Sequence, residues 1–240
     1  MDRIVGIGLV LSAVALSPVV DGSTVMAQET MSFFLTSVGA GDGADLGGLE
    51  GADAHCEFLA YAVGAENREW RAYLSSEDGD VNARDRIGDG PWYNAEGVLI
   101  ARDVTELHSE AANLTKESIL SEWGQVVNGR GDTPNRHDIL TGSDADGMLF
   151  DGDGDVTCSD WTSNGEGSAR VGHFDRQGGG DDPTSWNSAH GSQGCSQQAL
   201  RGTGGDALFF CFAADAGGAE DEEEVSLPSR QATRLPGLAR

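Results

Sequence analysis

Five histidines, at positions 55, 108, 137, 173 and 190, stand in a chain crowded with carboxylates. His173 and His190 share one polar stretch with Asp175 and Asp182. Imidazole nitrogens beside carboxylates can hold zinc, or serve as the acid–base pair of a hydrolase. His55 adjoins Cys56 on an expected helix and reads as structural. A second group, Asp181, Asp182, Trp186, Asn187 and His190, has the composition of a sugar site. There an aromatic face packs on C–H groups while amide and carboxylate groups bind hydroxyls. A third group is the DGDGD run, with Asp151, Asp153 and Asp155 alternating with glycine and Asp144 and Asp146 just before. Calcium takes about six to eight oxygens, and closely spaced carboxylates on a flexible backbone supply several. These three are the expected Ca2+ ligands, a solvated acidic turn being the plain alternative. Other chemistries find no support. No Gly-x-Ser-x-Gly elbow has a strand-to-helix context, and the glycine runs near 165 and 178 are followed by no phosphate-loop lysine. Arg130-Gly131-Asp132 is a tripeptide of the kind that recurs by chance.

These residues need elements to position them. Ser32 to Ser37 reads as a short strand, followed by the turn-rich Gly39 to Gly48. A helix capped by Asp53 should follow, with Cys56, Leu59, Ala60 and Val63 on one face. Trp70 to Leu74 and Val98 to Ala101 read as strands, Thr105 to Glu122 as helix, and Ile139 to Thr141 as strand. From Gly142 to Gly205 the chain is dominated by Asp, Gly, Ser and Asn. That stretch is too polar to pack a core alone, and its anchors are Cys158, Trp161, Trp186 and Cys195. Ala207 to Ala214 is apolar on both faces and predicts a buried strand.

Four cysteines, at 56, 158, 195 and 211, permit three pairings. None shows the short spacing of a structural zinc site. Joining Cys56 to Cys211 would pin the early helix under the last strand, and Cys158 to Cys195 would staple the loop-rich stretch. This nested arrangement is the favoured one.

The chain has 240 residues, with 40 acidic and 15 basic side chains and a formal net charge of −25. Such a chain repels phosphate backbones, so nucleic acid and heparin-like polyanions are excluded as partners. Residues 1–27 read as a secretory leader, with an apolar run too short to span a bilayer and Val25-Met26-Ala27 before the cleavage point. Residues 28–214 read as one domain, and 215–240, with its acidic run, as a disordered tail. No membrane span is expected, and the mature chain belongs in the periplasm or the medium.

Ordered blocks of sequence resemble a known family. Gly51-Ala52-Asp53-Ala54-His55-Cys56, followed by Trp70-Arg71-Ala72-Tyr73-Leu74-Ser75-Ser76, resembles the opening of the endostatin domain of collagens. Gly142-Ser143-Asp144, then Thr157-Cys158 and Asp160-Trp161-Thr162, resembles the run ahead of that domain's second cysteine, and Leu208 to Phe212 resembles its closing strand. The resemblance covers roughly residues 31–214. It implies a single α+β domain of the C-type lectin-like, endostatin-like kind, with a long Gly/Asp-rich loop region and two nested disulfides. The calcium-binding Trp-Asn-Asp run of sugar-binding relatives is represented by Trp186-Asn187-Ser188. The implied function is an exported, non-catalytic binding module that recognises carbohydrate through its long-loop face, with or without Ca2+. The alternatives are a structural or adhesive envelope protein making protein contacts, and a hydrolase built on His173, His190 and neighbouring acids.

Overall fold

The computed structural model describes residues 30–216. The leader at 1–27 and almost all of the tail lie outside the described residues. Asp215 and Ala216, placed in the tail by sequence, form a turn with Ala214, and Ala216 is buried.

The early helix forms as α1, Gly48–Ala62. It buries Ala52, Cys56, Leu59 and Ala60, a single stripe at three-to-four spacing. It starts five residues before Asp53, so Asp53 does not cap it. The carboxylate instead accepts the Ala72 N–H at 2.9 Å and pairs with Arg86 at 2.8 Å. That ties the helix to the next strand.

The core sheet is β1 (Phe33–Leu35), β9 (Phe210–Ala213) and β2 (Trp70–Ala72), with β9 antiparallel to both neighbours. Phe33, Phe34, Trp70, Phe210 and Phe212 are fully buried here. Cys211 on β9 bonds to Cys56 on α1, with the Cα atoms 5.6 Å apart. Cys158 bonds to Cys195, with Cα atoms 5.7 Å apart. The pairing is therefore nested. Cys158–Trp161 is a left-handed turn, with φ between 51° and 64°, rather than a helix. Burial of Trp161 and the second disulfide hold it there.

Two strands, β3 (Trp92–Tyr93) and β4 (Leu99–Ala101), make a separate hairpin. The helix expected over 105–122 stops after one turn, α2 (Val104–Leu107), which Asp103 caps by accepting the Glu106 N–H. Beyond it polar side chains compete with a helical backbone. The Ser118 hydroxyl donates to the Asn113 carbonyl at 2.6 Å and accepts from the Thr115 N–H at 2.9 Å.

A second sheet carries the site. Its order is β7 (His190–Gly191), β6 (Arg170–His173), β5 (Asp138–Leu140) and β8 (Gly205–Leu208). Only β5 and β8 run parallel. Two of its strands come from the stretch read as long loop. The remaining helix, α3 (Gln197–Thr203), leads into β8. The single strand expected over 207–214 is two strands. The chain leaves the site sheet after Leu208, crosses at buried Phe209, and enters the core sheet as β9. No helix among the described residues is long and apolar enough to cross a membrane.

Candidate metal centre

Strand pairing assembles the site from distant segments. Asp138, first residue of β5, lies directly opposite His173, last residue of β6. His190 on β7 lies opposite Val171, two residues back along β6 and on the same face as His173. His137 precedes β5, and its ring stacks on that of His173, with centroids 4.4 Å apart and planes 6° from parallel. Every Nε2 lies close to one oxygen. His137, His173 and His190 reach Asp138 Oδ1 at 3.1, 3.4 and 3.6 Å. Ligand atoms of His137, Asp138 and His173 lie within 4.8 Å of one another.

The outer hydrogen bonds decide which nitrogen carries the proton. His173 Nδ1 meets the Pro183 carbonyl at 2.9 Å, and His190 Nδ1 meets the Gly191 carbonyl at 3.0 Å. His137 Nδ1 meets the Asp175 carboxylate at 3.3 Å. All three partners accept and none can donate, so each ring places its N–H on Nδ1. In the neutral rings the Nε2 atoms then carry the lone pairs, close to the Asp138 carboxylate.

That is a repulsive arrangement of acceptors in a dry place. Side-chain exposure is 0% for His173, 2% for Asp138 and 5% for His137, and only His190, at 22%, reaches the rim. Both Asp138 oxygens and His173 Nε2 are buried without a hydrogen-bond partner. The nearby Thr203 hydroxyl donates to the Leu200 carbonyl. An unpaired buried polar group costs about 1–3 kcal/mol, and more when it is charged. Protons or a metal cation would relieve it. Burial alone would raise Asp138, but the neighbouring imidazoles of His173 and His190 outweigh it and hold the carboxyl well below the usual range. The Asp138 carboxylate in turn raises His190.

A metal cation fits the same space. A tetrahedral ion with bonds of about 2.0–2.2 Å separates its ligand atoms by roughly 3.3–3.6 Å; the nitrogens stand 3.1–3.6 Å from Asp138 Oδ1, and the atoms of His137, Asp138 and His173 all lie within 4.8 Å of one another. Imidazole nitrogens with one carboxylate suit zinc and its neighbours rather than calcium. The second shell is complete too, since each ring donates outward to a carboxylate or carbonyl.

Glycines clear the space around the group. A Cβ on Gly178 would sit 2.1 Å from His173 Cε1, and one on Gly180 2.9 Å from the His190 ring. One on Gly129 would meet Asp175 at 2.5 Å, and one on Gly204 would meet His137 at 3.1 Å.

Of the residues expected to form a sugar site, Asp182, Trp186 and Asn187 line one pocket, and Asp181 and His190 are not in its lining. Trp186 is 5% exposed and packs on Tyr73 and Phe210, so its ring is core. Asn187 is buried and its amide donates to Tyr73 Oη and to the Asp144 and Ala145 carbonyls. Asp181 is exposed and pairs with Arg170, and Asp182 is exposed. His190 alone of that group approaches Asp138, its Nε2 standing 3.6 Å from Oδ1. The expected calcium ligands do not converge either. Asp151 and Asp153 are exposed, and Asp155 accepts the Thr157 and Ser159 N–H groups of the left-handed turn. Among the described residues the one metal-ligating group is His137, Asp138 and His173.

The sequence suggests His173 and His190 as a pair with Asp175 and Asp182 as acids, and the structure brings the two rings to 5.0 Å between centroids. Asp175 turns out to orient His137, and Asp182 is not part of the group. Asp138 was missed because it lies 35 positions from His173 and meets it only through strand register. The available signal was the His137-Asp138 pair opening an apolar run. His55, read as structural, packs on Phe209 and bonds to the Val38 carbonyl. No protein-family model matches this chain, and no curated protein matches it either.

Proposed function

We propose that this chain is an exported binding protein for a divalent transition-metal ion of the zinc class, built on a C-type lectin-like frame. His137, His173 and Asp138 are its buried ligands and His190 is the fourth, at the rim. The observation that carries the reading is the approach of three Nε2 atoms to a buried carboxylate that has no hydrogen-bond partner. The nested disulfides support the frame and an oxidising compartment. Deep burial of three of the four donors suits holding a cation rather than turning over a large substrate. The function is therefore recognition of the ion; carbohydrate recognition through the long-loop face is the second reading, favoured by the pocket that Asp182, Trp186 and Asn187 line together. Isothermal titration of the chelator-stripped mature protein tests this. One equivalent of zinc bound by the native protein, and none by His173→Ala, is expected. Stoichiometric calcium binding without zinc binding would overturn it.

A further inference from the structure

One segment crosses directly over the cluster and is tied to it at both ends. At the near end, Asp175 Oδ1 accepts from His137 Nδ1 and also from the Gln177 N–H, at 3.3 and 3.2 Å. At the far end, the Pro183 carbonyl accepts from His173 Nδ1 at 2.9 Å. Between them Gly178, Gly179 and Gly180 arch across the imidazoles so closely that a Cβ on Gly178 would enter the His173 ring. No hydrogen bond holds these three glycines. The next fixed points are the Asp181 and Asp182 N–H groups, which share the Ala189 carbonyl beside His190. The strap thus has anchored ends, each held by a buried imidazole, and an untied crest of the most flexible residue type.

We propose that residues 175–183 form a latch over the metal centre, whose closure is coupled to occupancy and whose opening at Gly178–Gly180 is the route by which the cation enters and leaves. This rests on the metal reading above. A bound cation fixes the rings of His137 and His173, and those rings fix Asp175 and Pro183. A state with the strap lifted lets both rings turn and loses the ligand geometry. The cation therefore binds the closed state better and shifts the population toward it, and the coupling is reciprocal.

The strap carries its own reporter. Arg176 has φ of 54°, and its guanidinium is held only by the exposed Glu110 at 3.0 Å. Trypsin cleaves after Arg176 when the strap is open. Arg102, 71% exposed and far along the chain, serves as the control site. In the chelator-stripped mature protein, zinc is expected to slow cleavage at Arg176 by about tenfold or more, with Arg102 unchanged. A Cβ at Gly179 meets nothing within 4 Å, so Gly179→Ala stiffens the crest without touching the ligands. Stopped-flow zinc uptake should slow several-fold in that variant, with little change in affinity. Zinc binding with undiminished cleavage at Arg176, or with an unaltered uptake rate in Gly179→Ala, overturns the latch and leaves the metal reading standing. Failure of zinc to bind at all removes both.

Discussion

Two acidic regions of this molecule look alike in sequence and differ in kind. The run from Asp144 to Asp155 is dense in carboxylates, but each sits in water or serves the local backbone. Asp144 accepts the Asp146 and Met148 N–H groups, and Asp155 those of Thr157 and Ser159. Asp138 is a single carboxylate with an ordinary apolar neighbour, Ile139, yet it lies in the interior facing three imidazoles. The difference is desolvation. A carboxylate in water needs nothing more, whereas a buried one with no donor stores a demand for positive charge. Local density marks the first kind, and only the fold reveals the second.

The largest effect should come from reversing that contrast. Asp138→Ala is expected to abolish zinc binding in calorimetry, while Asp153→Asn leaves it unchanged. Equal loss in both, or in neither, would erase the distinction. Gly178→Ala should be nearly as severe, because its Cβ would stand 2.1 Å from His173 Cε1. A Gly178→Ala protein that folds and binds zinc normally would show that the strap does not lie against the ring.

Next in size is a thermal shift. Zinc at about a hundred times its Kd should add roughly 2.7 kcal/mol of stability, raising Tm by about 5–10 °C for a domain of this size. Calcium at the same concentration should leave Tm unchanged. Asp175→Asn sharpens the picture from outside the first shell. An amide can present its NH2 to His137 and reverse the ring's tautomer, so zinc affinity should fall about 10–100-fold with the cation still bound.

The smallest effect concerns pH without metal. Asp138 raises the native His190 above its unfolded value. That pair stabilises fully below about pH 6.5, the unfolded value, and its contribution fades as pH rises through the higher native one. His190→Ala should therefore lower the metal-free Tm more near pH 5.5 than near pH 8.5. With zinc present the order should reverse, since the proton and the metal compete for Nε2. The depressed Asp138 adds stability that is present above about pH 3.9 and disappears as pH falls through its lower native value. A His190→Ala penalty that is flat with pH in both series would break the account of this pair.

Sequence made much of the frame legible. The helix stripe around Cys56, the buried closing strand and the nested disulfides followed from apolar spacing and cysteine position. The helix expected over 105–122 ends after one turn, because the Ser118 hydroxyl takes the Thr115 N–H and the Asn113 carbonyl and the Thr115 hydroxyl takes the Ser118 N–H, groups that a helix would need. The site was half legible. His173 and His190 are near enough in sequence to suggest a pair, whereas Asp138 joins them through an antiparallel register that composition does not encode. Trp186 beside Asn187 reads from sequence either as an anchor beneath the long loop or as part of a sugar face. Here the loop folds over it, and the ring fills the space under the loop against Tyr73 and Phe210.

X-ray absorption at the zinc edge, on mature protein loaded with one equivalent, tests the centre most directly. The expected spectrum shows imidazole scattering from three histidines and one carboxylate oxygen, at about 2.0–2.2 Å, with no sulfur, and the imidazole signal diminishes in His190→Ala. A shell of oxygens alone, or a spectrum unaltered by that substitution, would contradict the assignment.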